Sequence, residues 1–109
     1  MKNGVEMYRF ETANFVVSAE IYPDEYVDTS WDETGETQAN LESGLWCAFG
    51  TIVTVETRNG TVLGEDSIWG SIYENPSDFF KERNGYFRDL VRQSIHQARA
   101  NIVSLSDAA

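Results

Sequence analysis

Between Arg9 and Arg58 the chain has no lysine or arginine, and that gap frames every other reading of it. Elsewhere too the sequence is sparing, with one cysteine, one histidine and two prolines in 109 residues. The lone Cys47 excludes an internal disulfide framework and a cysteine zinc cluster. A single His96 excludes metal catalysis by histidine pairs. No run approaches the ~20 apolar residues of a membrane helix. Met1 to Glu6 lack the apolar core of a secretory signal, so a cytoplasmic location is expected.

What is present is acid and aromatic surface. The 18 acidic against 8 basic side chains give a net charge of −10, and 41% of the residues are hydrophobic. Three Trp, five Tyr and six Phe supply ample material for burial, against the signature of a disordered chain. One domain spanning residues 1–109 is expected at this length. The charge is segregated. Residues 10–57 hold Glu11, Glu20, Asp24, Glu25, Asp28, Asp32, Glu33, Glu36, Glu42 and Glu56 without one base. Toward the C-terminus, Lys81, Arg83, Arg88, Arg92 and Arg99 oppose Glu82 and Asp89, so the molecule should be dipolar.

Phe15, Val17, Ala19 and Ile21 alternate with more polar neighbours, the period of a strand with one buried face. Val5 to Phe10 reads as a preceding extended edge. Pro23 stops the strand, and residues 23–44 form a long acidic connection in which Glu36 to Glu42 has the makings of a helical turn closed by Gly44. Two β-rich runs then flank Asn59-Gly60, a pair suited to a two-residue type I′ hairpin. That loop sets Val55 opposite Gly64, Val53 opposite Asp66, Thr51 opposite Ile68 and Cys47 opposite Ile72, sharing a core face. Trp46, Ile52, Leu63, Trp69 and Tyr73 then point the other way, with Trp69 laid across Gly50.

Asn75-Pro76-Ser77-Asp78 is a helix start, and Asn84-Gly85 a helix stop. A longer helix follows from Tyr86 to about Ser104, with Phe87, Leu90, Val91, Ile95, Ala98, Ile102 and Leu105 on one stripe and a fraying tail from Ser106. Arg88, Arg92, His96 and Arg99 lie beside that stripe, placed to answer nearby acids or the helix C-terminal dipole. The expected fold is α+β: an antiparallel β-meander of three or four strands packed against a C-terminal helix, a two-layer sandwich.

Reactive chemistry is thin. Asp28, Ser30 and Asp32 alternate as in a calcium loop, but the sixth and twelfth positions are Glu33 and Ala39 where Gly and Glu are required. That leaves at most loose divalent contact by Asp24, Asp28, Asp32 and Glu33. Cys47 with His96 makes a poor dyad, since the pairing above buries the thiol. No glycine-rich phosphate loop occurs. Direct nucleic-acid binding is disfavoured by the charge. No enzyme, cofactor or metal is expected.

From Gly70 onward, Ile72-Tyr73-Glu74, Phe79-Phe80 and Tyr86-Phe87-Arg88-Asp89-Leu90-Val91 resemble small acidic uncharacterised proteins of phage and plasmid type. The resemblance covers roughly the last 40 residues. It implies no activity and no catalytic residue, and points to an accessory protein of a mobile genetic element.

Two features carry a functional expectation. The acids Asp24, Glu25, Asp28, Asp32, Glu33 and Glu36 suit a protein partner with a basic surface, in the manner of a nucleic-acid-mimicking inhibitor. The aromatics Trp46, Trp69 and Tyr73 suit an interface, with a homodimer as its simplest form.

Overall fold

The computed structural model describes residues 4–81 and 85–108, with side chains as far as Ile102. Four strands, β1 (Val5–Glu11), β2 (Phe15–Pro23), β3 (Cys47–Thr57) and β4 (Val62–Tyr73), form one sheet in the order β1-β2-β3-β4. All neighbours are antiparallel, so the sheet is a meander. A short helix α1 (Glu36–Glu42) interrupts the β2–β3 connection, and a 3₁₀ turn (Pro76–Phe80) leads to the long C-terminal helix α2 (Tyr86–Ala108). The fold is therefore the α+β two-layer arrangement.

The core lies between the sheet and α2. Val17 and Ala19 of β2 and Phe49, Val53 and Val55 of β3 meet Phe87, Leu90 and Ala98 of α2, with Phe79 buried beside them. Phe15 and Ile21 pack at its margin, as the alternation along β2 requires. A cluster of edge-to-face rings closes one end. Phe79 meets Phe49 at 5.9 Å and Phe80 at 5.3 Å, and Phe87 meets Phe80 at 4.8 Å and Tyr8 at 5.0 Å.

Ser94, fully buried on the same helix face, is a small polar residue within the stripe of large apolar side chains. Opposite it stands Gly64, where an added Cβ would lie 2.2 Å from the Ser94 carbonyl oxygen. The two small residues let α2 approach β4 closely. The Ser94 hydroxyl is not left stranded, because it donates to the Leu90 carbonyl at 2.8 Å.

Both outward features of β4 are covered by α2. The Glu65 amide donates to Gln97 Oε1 at 2.7 Å, and the Asn101 amide donates to the Leu63 carbonyl. These side chains occupy backbone groups that an edge strand otherwise leaves open.

The β3–β4 hairpin departs from the two-residue reading. Gly60 alone takes a positive φ, at 93°, and Asn59 does not, which excludes a type I′ turn. The Gly60 amide returns to the Thr57 carbonyl at 3.0 Å, while the Thr57 amide donates to Thr61 O at 2.8 Å. The loop thus has three residues, Arg58 to Gly60.

A bulge at Leu63 absorbs the extra residue, so the pairs from Val55–Gly64 to Thr51–Ile68 stand as expected. Leu63 itself turns into the core instead of away from it. A second bulge sets Trp69 and Gly70 against Gly50, with Gly70 at φ 79°, where an L side chain would be strained.

Beyond it the register has slipped by one. Cys47 now pairs with Tyr73 and Ala48 with Ile72. Two assignments are corrected here, the first by this slip and the second because Cys47 is the terminal residue of β3. Tyr73 packs against core Phe49 and Phe79, and Cys47 is exposed, not buried.

Helix α2 also runs farther than Ser104, continuing to Ala108 where fraying from Ser106 was expected. Asn84 of the anticipated helix stop, Glu82 and Arg83 of the charge balance, the Leu105 side chain and Ala109 lie outside the described residues.

Candidate functional site

The acidic connection is ordered, and its aspartates are the reason. Asp24 Oδ1 accepts the Tyr26 amide at 3.1 Å, and Asp28 Oδ1 accepts the Ser30 amide at 2.9 Å. Asp32 does more. Its Oδ1 takes the Thr34 amide at 3.1 Å and hydroxyl at 2.6 Å, and its Oδ2 takes the Thr37 amide at 2.9 Å and hydroxyl at 2.6 Å. Each aspartate folds the chain two residues ahead of itself, the Asx turn that short acidic side chains favour.

Asp32 also serves α1. The N-cap residue Gly35 has no side chain to accept the first-turn amides, and Asp32 reaches past it to Thr37. Hydrogen bonds from the Thr34 hydroxyl, then from Thr37, hold the Asp32 carboxyl far below the ordinary aspartate range. The Ser30 amide lowers Asp28 in the same sense.

Two bonds fasten the start of this connection to the sheet. The Asp24 amide donates to the Ala48 carbonyl at 3.0 Å, and Asp24 Oδ2 accepts the Gly70 amide at 2.9 Å. At the far end the Trp46 amide donates to the Asn40 carbonyl at 3.1 Å. The connection is thereby tied to the sheet, to β3 at Ala48 and to β4 at Gly70.

Between them lies an open groove of about 810 Å³. Its walls are Tyr26, Trp31, Trp46, Trp69, Ile72 and Tyr73, and Asp24, Asp28 and Glu74 supply its charge. Trp69 lies against Gly50, as the sequence pairing indicated: a Cβ there would fall 2.1 Å from the indole. The other side of the ring stays open, and the residue is 49% exposed. Trp31 is 68% exposed, and its Nε1 donates to the Asp28 carbonyl at 3.0 Å.

The two sets of residues singled out from sequence converge only in part. Asp24 and Asp28 share the groove with Trp46, Trp69 and Tyr73, the last reaching it from the core margin. Glu25 lines a neighbouring groove of about 560 Å³, where Trp46 forms part of the wall together with Leu41 and Cys47. Asp32 is committed to the α1 turn, and Glu33 and Glu36 are exposed beside it.

Glu74, Tyr26 and Trp31 join the groove without any signal in the sequence that marks them. Only the shape of the connection and the bulge at Gly70 bring them in, and no local pattern announces either.

The opposite layer has the opposite charge. Arg92, His96 and Arg99 line a shallow depression on the exposed face of α2. Ion pairs join Arg9 to Glu6 and Glu11, and Arg58 to Glu11 at 2.8 Å, around the hairpin ends of β1 and β3.

Among the described residues there is no group of three or more His, Cys, Asp or Glu side chains able to hold a metal ion. No helix there is long and apolar enough to cross a membrane. No family model, curated protein or solved structure matches the chain.

Proposed function

We propose that this chain is a non-enzymatic binding protein that engages another protein through a basic surface, using the groove between the acidic connection and the β3–β4 face. One observation carries the reading. Three carboxylates and three indoles open into a single groove to which, among the described residues, no lysine or arginine contributes. Such a surface attracts cations at long range and gives apolar contact at short range, the combination found at protein interfaces.

The −10 charge favours fast encounter with a basic partner and disfavours direct contact with nucleic acid. Imitation of a phosphate backbone by the acids is the stronger form of this reading. The resemblance of the C-terminal part to phage and plasmid proteins supports an accessory role in the cytoplasm on behalf of a mobile element.

The aspartates make poor targets for a test, because Asp24, Asp28 and Asp32 each hold a turn. Glu25, Glu33 and Glu36 are exposed and can be neutralised together to glutamine. Pull-down from host lysate with wild type and the triple variant, each in low and high salt, is the test. Loss of a basic partner with the triple variant, and with salt, supports the reading. Recovery unchanged by either rejects it. Displacement of that partner's nucleic acid would identify the imitator form.

A second reading has its own support in the exposure of Trp31 and Trp69. In it two copies bury these indoles against each other as a homodimer. Light scattering over a concentration series separates the two readings: a dimer lost on Trp69→Ala supports the second, and a monomer throughout removes it.

A further inference from the structure

Resting on the reading of the groove as a site for a basic protein, we propose that it is a guanidinium pocket, in which an arginine side chain of the partner stacks on the Trp31 and Trp69 indoles and hydrogen-bonds to the Asp24 and Asp28 carboxylates.

The argument begins with how each carboxylate is held. Asp24 is tied by Oδ2 to the amide of Gly70, the residue that follows Trp69. Asp28 is tied to Trp31 through its own carbonyl, which accepts the indole N–H. Asp28 is thus fixed beside the Trp31 indole and Asp24 beside the backbone that carries Trp69, and all four residues line the same groove.

The carboxylates keep acceptor capacity for a ligand. Each Asp24 oxygen takes one backbone amide, and the bonds to the Asp28 carboxylate come from Ser30 alone. An ionised carboxylate offers about four lone-pair sites.

Trp31 is largely exposed, and Trp69 has one face against Gly50 and is half exposed. The ring–ring contacts of the described residues join Tyr8, Phe49, Tyr73, Phe79, Phe80 and Phe87, and no tryptophan takes part.

These features select arginine over lysine. A guanidinium is flat, weakly hydrated and carries five donors in a rigid fork, so it can stack on an indole while its edge meets a carboxylate. An ammonium is a compact, strongly hydrated charge that gains less from a flat wall. Among the described residues no lysine or arginine lines the groove, so a partner's cation meets no competing one there.

The intact protein can be titrated with tri-arginine, tri-lysine and tri-citrulline peptide amides, following tryptophan fluorescence. The expected result is a saturable change with tri-arginine, weaker binding of tri-lysine and none of tri-citrulline. Trp31→Ala, which changes a residue outside the core, should weaken tri-arginine about tenfold. Asp28→Asn keeps the acceptor for the Ser30 amide, removes the charge, and should weaken it as well.

Equal affinity for tri-arginine and tri-lysine would overturn the pocket. So would no saturable change with tri-arginine, or full affinity in both variants. Circular dichroism establishes that each variant is folded. If the peptides fail while the lysate partner still depends on Glu25, Glu33 and Glu36, the pocket falls and the binding function stands. If both experiments fail, both fall.

Discussion

The Asp24 carboxylate accepts the Gly70 amide at 2.9 Å, across 46 residues of sequence. The bond joins the first residue beyond β2 to the residue whose positive φ makes the β4 bulge. It settles where the acidic connection lies and keeps Trp69 and the connection on either side of one groove. Asp24→Ala should free the Gly70 amide, seen as faster hydrogen exchange at that position, and cost about 1 kcal/mol in urea unfolding. Asp24→Asn retains an acceptor oxygen and should exchange more slowly than the alanine variant. Equal exchange in all three proteins would show that the bond does not hold the connection.

Thr51 is fully buried in the centre of β3, and its hydroxyl has no hydrogen-bond partner among the described residues. Valine has nearly the same shape without the unmet polar group. Thr51→Val should therefore stabilise the fold by about 1 kcal/mol, read as a higher urea midpoint at unchanged slope. A lower midpoint would mean that the hydroxyl is satisfied in solution.

Gly64 tests the approach of α2 to the sheet. The 2.2 Å distance from an added Cβ to the Ser94 carbonyl oxygen is too short for any side chain. The obstacle is backbone, so relief requires the helix to shift. Gly64→Ala should lose about 1–3 kcal/mol, measured by thermal or urea unfolding. A neutral result would show that α2 sits farther from β4.

Asp32 gives the connection a dependence on pH. Its carboxyl is held below its ordinary value, chiefly by the Thr34 hydroxyl and then by Thr37. A lowered folded value contributes stability above the unfolded value, about 3.9 for aspartate. That contribution is lost as the pH falls through this value toward the folded one. Wild type should therefore lose stability more steeply below about pH 4 than Asp32→Asn does. Unfolding curves from pH 7 down to pH 3 give the comparison, and parallel acid limbs would remove Asp32 as the cause.

Periodicity carried the architecture. Alternation in β2, the Asn75 cap and the apolar stripe of α2 each reflect burial on one side of an element, which is legible one residue at a time. Asn75 does accept the Ser77 amide, at 3.1 Å. Bulges are less visible, because nothing in Leu63 or Trp69 announces a second residue opposite one partner. That is why Tyr73 changed faces while Trp69 kept its place over Gly50. The groove was legible only as two separate ingredients, the acids and the tryptophans. What joins them is a set of long-range bonds from Asp24, whose partners at Ala48 and Gly70 no sequence window contains.

Gln97 and Asn101 have a consequence for how copies of this chain can join by strand pairing. With the amide of Glu65 and the carbonyl of Leu63 already occupied, the β4 side offers no continuous ladder to a newcomer. The margin formed by β1 is the one left for such growth, and two molecules meeting there would each present a finished border outward. Stacking by this route ends at a pair, so an endless ribbon of these sheets would first require α2 to let go.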